Sequence, residues 1–120
     1  GGLVDIEYLV QGLQMTHARN HPEIKAPNTR AALRAMRDAG LLSESDFQTL
    51  NSSCIFLRRL IDALRVVRGD AKDLSVPDLR SEEFQFLSRR LGYENDLTRL
   101  NQEIQDHAAR VSARNHALLG

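Results

Sequence analysis

Residues 43–69 read SESDFQTLNSSCIFLRRLIDALRVVRG, and the spacing inside this stretch decides the fold class. Phe47, Leu50, Cys54, Leu57, Ile61 and Leu64 recur at intervals of three and four, which places them along one face of an α-helix. Phe56, Leu60 and Val67 form a second stripe beside the first. A surface helix needs only one apolar face, so two stripes predict neighbours on two sides. Ser43 followed three residues later by Asp46 resembles a capping box, and Gly69 stands where a left-handed residue would end the helix. At 1.5 Å per residue the predicted helix is roughly 37 Å long. A helix of that length requires partners of similar length.

Upstream, Gly40-Leu41-Leu42 makes a stop and an apolar corner, with Leu42 in the position of a hydrophobic staple. Asn28 is an N-cap for a short helix over 29–39 that turns Leu33 and Met36 inward, with Ala32 and Ala35 in close contact. Residues 21–28 read as loop, because Pro22 and Pro27 oppose a helix. Residues 2–20 read as the first long helix, with a stripe of Leu3, Ile6, Val10 and Leu13, Leu9 beside it, and Tyr8 and Met15 broadening the apolar surface. The first of these, 3–6, equally fit the end of an extended segment. Gly12 costs about 1 kcal/mol against alanine within a helix, and it predicts the close passage of a neighbour.

Downstream, 70–80 is the least regular part. Pro77 opposes a continued helix, and Leu74, Val76 and Leu79 are spaced to pin the linker onto the bundle. Ser81 is an N-cap with Glu82 and Glu83 in the first turn, where the helix dipole favours acids. Phe84, Leu87 and Leu91 give that helix its inner face with Phe86 beside them; Gly92 stops it and Tyr93 packs back. A last helix over 95–118 carries Leu97, Leu100, Ile104, Ala108, Val111 and Leu118, interrupted by Asn115. The expected fold is an all-α, antiparallel bundle of about five helices, three long and two short, forming a single domain over 1–120.

The chain has 120 residues, a formal net charge of zero, 42% hydrophobic and 27% charged residues. At this size roughly two-thirds of the unfolded surface can be buried, enough for a core without staples. Zero net charge argues against a dedicated nucleic-acid binder. The single cysteine, Cys54, excludes an internal disulfide and a cysteine-built metal site, and its place on the apolar stripe predicts a buried thiol. No apolar run approaches the length of a membrane span. With no signal-peptide pattern, the cytoplasm is the expected compartment. Gly1-Gly2 is not a translation start, so the chain reads as a domain excised from a larger protein.

Chemistry is sparse. Asp5 and Glu7 are paired carboxylates that would share a face on a strand but not on a helix; in a helix they read as acids favoured by the dipole or as contacts for arginines elsewhere. His17 and His21 are four apart but lack further metal ligands at motif-like spacing, and His107 and His116 read as surface residues. Ser52-Ser53 has no histidine and acid evident around it. The stronger feature is basic. Arg58, Arg59, Arg65 and Arg68, with Lys72 beyond and Asp62 among them, read either as structural ion pairs or as a docking face for a partner domain, a protein or a phosphate-bearing ligand. There is no Gly-rich phosphate loop, nucleophile elbow or paired-cysteine motif. The residues alone give a helical bundle with a scaffolding or regulatory role, and no catalytic, cofactor-binding or metal-binding residues.

Gly1-Gly2-Leu3-Val4-Asp5-Ile6-Glu7-Tyr8-Leu9-Val10-Gln11, with Gln14 beyond, resembles the segment that opens the helical domain following each nucleotidyltransferase module of glutamine synthetase adenylyltransferase, a relative of the PII-uridylyltransferases. Pro27-Asn28-Thr29 with Ala32-Leu33, Gly40-Leu41-Leu42-Ser43, Phe56-Leu57-Arg58-Arg59-Leu60 and Leu91-Gly92-Tyr93 resemble further motifs of that family, so the likeness covers nearly the whole chain. It departs at Ile61, where the family carries an acid, at Val4, often arginine, and through 65–74, which suggests a divergent branch. The resemblance implies a parent that transfers nucleotides from ATP with Mg²⁺, held by aspartates upstream of the Gly-Gly segment, and that acts on glutamine synthetase under control of a PII-class protein. It implies for this chain a non-catalytic helical domain that supports the nucleotidyltransferase domain and helps form the surface recognising the protein substrate or the regulator. Asp5, Glu7, Gln11 and Gln14 would stand at the junction between the two, with no nucleic-acid or membrane partner. The alternative is a stand-alone helical protein-interaction module.

Overall fold

The structure, a computed structural model, describes residues 3–26, 28–68 and 76–119, with side chains from Asp5 onward. Among the described residues the chain is all-α: α1 Leu3–His17, α2 Thr29–Asp38, α3 Glu44–Arg68, α4 Glu82–Arg90 and α5 Leu97–Leu119. The antiparallel bundle of five helices, three long and two short, is the fold the periodicity predicts. Residues 3–6 are helical rather than extended. Gly69, Lys72 and Leu74 lie outside the described residues, as does Pro27.

Capping explains where the helices start. The Asn28 side-chain oxygen accepts from the Ala31 N–H at 2.9 Å and Ser81 Oγ from the Phe84 N–H at 3.1 Å. Ser43 Oγ accepts from the Asp46 N–H at 3.0 Å. Each such cap is worth ~1 kcal/mol. The capping box at Ser43 is only half formed. The Asp46 carboxylate lies 2.8 Å from Arg114 Nε on α5, and this interhelical partner replaces the return bond to Ser43. Asp96 caps α5 by accepting from the Arg99 N–H at 3.2 Å, which is why that helix begins at Leu97.

The two short helices stop in the same way. Gly40 and Gly92 take φ values of 78° and 86°. The Leu41 N–H then reaches the Met36 carbonyl at 2.8 Å, and the Tyr93 N–H reaches the Ser88 carbonyl at 2.9 Å. These are Schellman closures, and glycine supplies the left-handed residue without steric cost.

α3 contacts all four other helices, which accounts for its two stripes. It runs against α5, since Asp46 pairs with Arg114 while Ser53 pairs with His107. α1 lies along α5 in the same sense: the Asn115 amide donates to the Asp5 carbonyl at 3.4 Å, and Gly12 meets Leu119. A Cβ at Gly12 would come within 3.0 Å of the Leu119 side chain, so the glycine permits the approach its position predicts. Asn115, a gap in the apolar stripe of α5, is thereby given a backbone partner.

The core gathers Ile6, Leu9, Leu33, Met36, Leu50, Cys54, Leu64, Phe84, Leu87, Leu100 and Val111, all fully buried. Four apolar expectations fail. Tyr8 and Met15 are 62% and 87% exposed, because they lie seven residues apart on the side of α1 opposite the core. Phe86 and Val76 are also exposed, while Leu79 does pack against the core. Conversely, the proline-flanked loop holds a 3-10 turn at Pro22–Ile24. Pro22 occupies its first position, where a missing N–H costs nothing, and the turn delivers Ile24 to the core.

Candidate functional site

α1 places Glu7, Gln11 and Gln14 at i, i+4 and i+7, so one side of the helix presents a carboxylate and two amides. They face the start of α2. Glu7, Gln11 and Gln14, with Asn28 and Thr29, wall a groove of about 210 Å³ floored by Val10, Ala26 and Ala32. The Gln14 amide donates to the Ile24 carbonyl at 2.8 Å, which ties the 3-10 turn to α1 and fixes one wall. Asp5 does not join them. Two residues from Glu7 on a helix, it falls on the α5 side, where its carbonyl takes the Asn115 bond. The two acids therefore do not form a shared pair of ligands. Among the described residues no cluster of three histidine, cysteine or acidic side chains has metal-binding geometry.

The basic residues of α3 separate into two kinds. Arg68 Nε lies 2.8 Å from Glu83 on α4 and Arg65 lies 3.8 Å from Asp62. Asp62 thus pairs with Arg65 rather than with Arg58, so the acid comes first along the helix. Arg58 and Arg59 are exposed. Arg59 enters a second cleft of about 230 Å³ between α3 and α4, with Asp62, Ala63, Val66, Arg90 and Leu91. Lys72 lies outside the described residues.

His107 is the residue whose sequence reading needs correction. It is half-buried, stacked on Phe56 with ring centroids 4.3 Å apart, and its Nδ1 is 2.8 Å from Ser53 Oγ. Ser53 therefore does have a histidine beside it. The signal was present: Ser53 lies between Leu50 and Leu57, and His107 between Ile104 and Val111, each on a buried seam. The pair is not a nucleophile and base that a substrate can reach, because Ser53 is fully buried. It clasps α3 to α5. His21, by contrast, sits in the loop with Nδ1 3.1 Å from Glu23, whose carboxyl is held below its ordinary range by a backbone hydrogen bond and by His21.

Burial pushes the His107 pKa below its ordinary value and the charge of Arg110 pushes the same way, against Glu103 and Asp106. The folded chain thus prefers the neutral ring, whereas the unfolded ring takes up a proton near pH ~6.5. The associated stability is complete above that pH and declines as pH falls. The midpoint of urea unfolding should drop between about pH 7.5 and about pH 5.5, with a smaller drop in His107→Gln. Equal drops in both proteins would remove His107 as the cause.

Burial also pushes up the Cys54 thiol, against the fields of Arg58 and Arg30, so this cysteine is an inert part of the core. Between α4 and α5, the Tyr93 hydroxyl donates to the Glu103 carboxylate, and burial, then Glu103, raise Tyr93 to about 12. Arg99 stands over the Tyr93 ring at 5.1 Å and 3.5 Å from Glu103, closing the α4–α5 corner.

The sequence profile described as GlnD PII-uridylyltransferase matches residues 1–119. Among curated proteins, a bifunctional glutamine synthetase adenylyltransferase/adenylyl-removing enzyme of Streptomyces coelicolor is 40% identical over 93 residues, 78% of this chain and 9% of that protein. Its namesake in Xanthobacter autotrophicus is 35% identical over 111 residues, 92% of this chain and 11% of that protein. That of Rhodopseudomonas palustris strain TIE-1 is 28% identical over 120 residues, 100% of this chain and 12% of that protein. The chain thus spans about a tenth of the length of these relatives. No solved structure matches it.

Proposed function

Because the chain belongs to the GlnD PII-uridylyltransferase family, we propose that it is the non-catalytic helical domain of a nucleotidyltransferase resembling glutamine synthetase adenylyltransferase, seated directly after the catalytic module and bracing it. The observation that carries this reading is the α1–α2 groove. Glu7 and Gln11 from the family-like opening segment, and Gln14 just beyond it, line that groove with Asn28 and Thr29, and Tyr8 and Met15 stand exposed on the same helix. Such a face offers hydrogen bonds and apolar contact to a neighbouring domain. ATP and Mg²⁺ would bind in the catalytic module, outside these residues. Asp5 and Glu7, diverging on α1, suit support of that module from its edge rather than joint ligation of a metal. The bundle would also help form the surface by which the enzyme recognises glutamine synthetase or a PII-class protein.

The test is Asp5→Ala with Glu7→Ala in the full-length parent. Nucleotidyl transfer should fall about tenfold, equivalent to ~1.4 kcal/mol of barrier, while the bundle keeps its urea midpoint. Unchanged transfer removes the junction role. Turnover by the isolated 120-residue chain with ATP and Mg²⁺ would overturn its assignment as non-catalytic.

A further inference from the structure

The cleft between α3 and α4 lies away from the α1 groove and has a different chemistry. Arg59, Ala63 and Val66 follow one another along a single stripe of α3, and Arg90 with Leu91 closes the far wall at the end of α4. Ala63 is buried and forms the floor, whereas Val66 is 57% exposed. Phe86, one turn before Arg90 on α4, is 54% exposed, with the Arg89 guanidinium 5.4 Å from its ring centre. The cleft's own acid, Asp62, is already engaged by Arg65. Among the described residues no carboxylate lies within ion-pair distance of Arg59 or Arg90, whereas Arg68, one turn from Arg65, is 2.8 Å from Glu83. Among the described residues the cleft therefore holds two guanidiniums without a carboxylate partner, with the exposed Val66 in its lining and the exposed Phe86 one turn before Arg90 on α4.

A guanidinium grips a carboxylate or a phosphate through paired N–H donors. A free phosphate would use the arginines and leave Val66 and Phe86 wet. Nucleic acid calls for a wide basic field, and the chain as a whole is neutral. A peptide carrying an acid next to an apolar residue uses both halves of the surface. We propose that the α3–α4 cleft is a docking site for an acidic, partly apolar peptide segment of a partner protein. Arg59 and Arg90 hold its carboxylates, and Val66 and Phe86 cover its apolar side chain. The inference does not rest on the junction reading of α1.

The probe is a blocked peptide made of three Glu-Leu-Glu-Ser repeats, titrated into the ¹⁵N-labelled chain. Amide shifts should cluster on 59–66 and 86–91, and affinity should fall with salt, as for exposed charge pairs. Arg59→Gln with Arg90→Gln should weaken binding about tenfold, a few-fold for each charge pair lost. Val66→Ser with Phe86→Ser should weaken it about fivefold by removing the apolar contact. All four side chains are at the surface, so urea midpoints report that the variants fold. A repeat with lysine for glutamate should not bind. Shifts elsewhere, or affinity indifferent to the arginine variant, would overturn the proposal. So would displacement of the peptide by inorganic phosphate at equal affinity, which would make the cleft a phosphate site.

Discussion

Phe84→Ala should remove about 3–5 kcal/mol of stability, the loss expected when a fully buried phenylalanine is cut back to its Cβ. The bundle as a whole has roughly 6–18 kcal/mol at the usual 0.05–0.15 kcal/mol per residue. Phe84 stands in the first turn of α4, a helix of 9 residues whose other large buried side chain is Leu87. A helix that short does not persist unaided in water, so α4 is held by what it buries against α3 and α5. Truncating Phe84 leaves a cavity among three helices and one remaining anchor. Urea unfolding followed by circular dichroism reads the loss. Phe84→Leu, which keeps most of the volume, should recover more than half of it. A loss below about 1.5 kcal/mol for the alanine variant would mean that α4 lies outside the cooperative core.

The second large effect comes from charge. Val111→Asp places a carboxyl at a fully buried position of α5, on the seam that meets α3. A carboxylate deprived of water there either ionises at great cost or stays protonated, which raises its pKa by roughly 3–5 units and costs about 4 kcal/mol at neutral pH. The sign is opposite to that of His107. A carboxyl whose folded pKa is raised destabilises most above that pKa and least when the pH falls below the unfolded value. The urea midpoint of Val111→Asp should be much lower at pH ~7.5 than near pH ~5, whereas Val111→Asn should show no such recovery. Equal instability of the aspartate protein at both pH values would place position 111 in a wetter environment than the structure gives it.

Much of this architecture can be read directly from residue spacing. The two stripes of α3 predicted contact on two sides, and the structure surrounds that helix with four others. Asn28, Ser81, Gly40 and Gly92 mark helix ends through local chemistry that needs no tertiary information. What spacing cannot show is which flank of a helix stays uncovered. Tyr8 and Met15 repeat at a helical interval as faithfully as core residues do, yet they point away from every neighbour. Nor can it show a pairing across distance. Ser53 and His107 are 54 positions apart, and their meeting depends on the register between α3 and α5. The α1 groove was half legible: the side of α1 follows from spacing, but its opposing wall at Asn28 and Thr29 comes from how α2 docks. Arg90 gave no sign of sharing a cleft with Arg59, for the same reason.

The contact of Gly12 with Leu119 and that of Asp5 with Asn115 tie α1 to α5, more than a hundred residues further along the chain. Synthesis runs from the N-terminus at roughly 5–20 residues per second, so α1 waits some seconds for α5. During that interval α1, α2 and α3 can assemble through nearby partners, but the side of α1 that α5 will cover stays open. Contacts so distant in sequence are slow to form, and surface exposed meanwhile invites wrong partners. The glycine that lets two helices meet so closely therefore also makes the α1–α5 seam a late event on the ribosome, completed only once Leu119 has emerged.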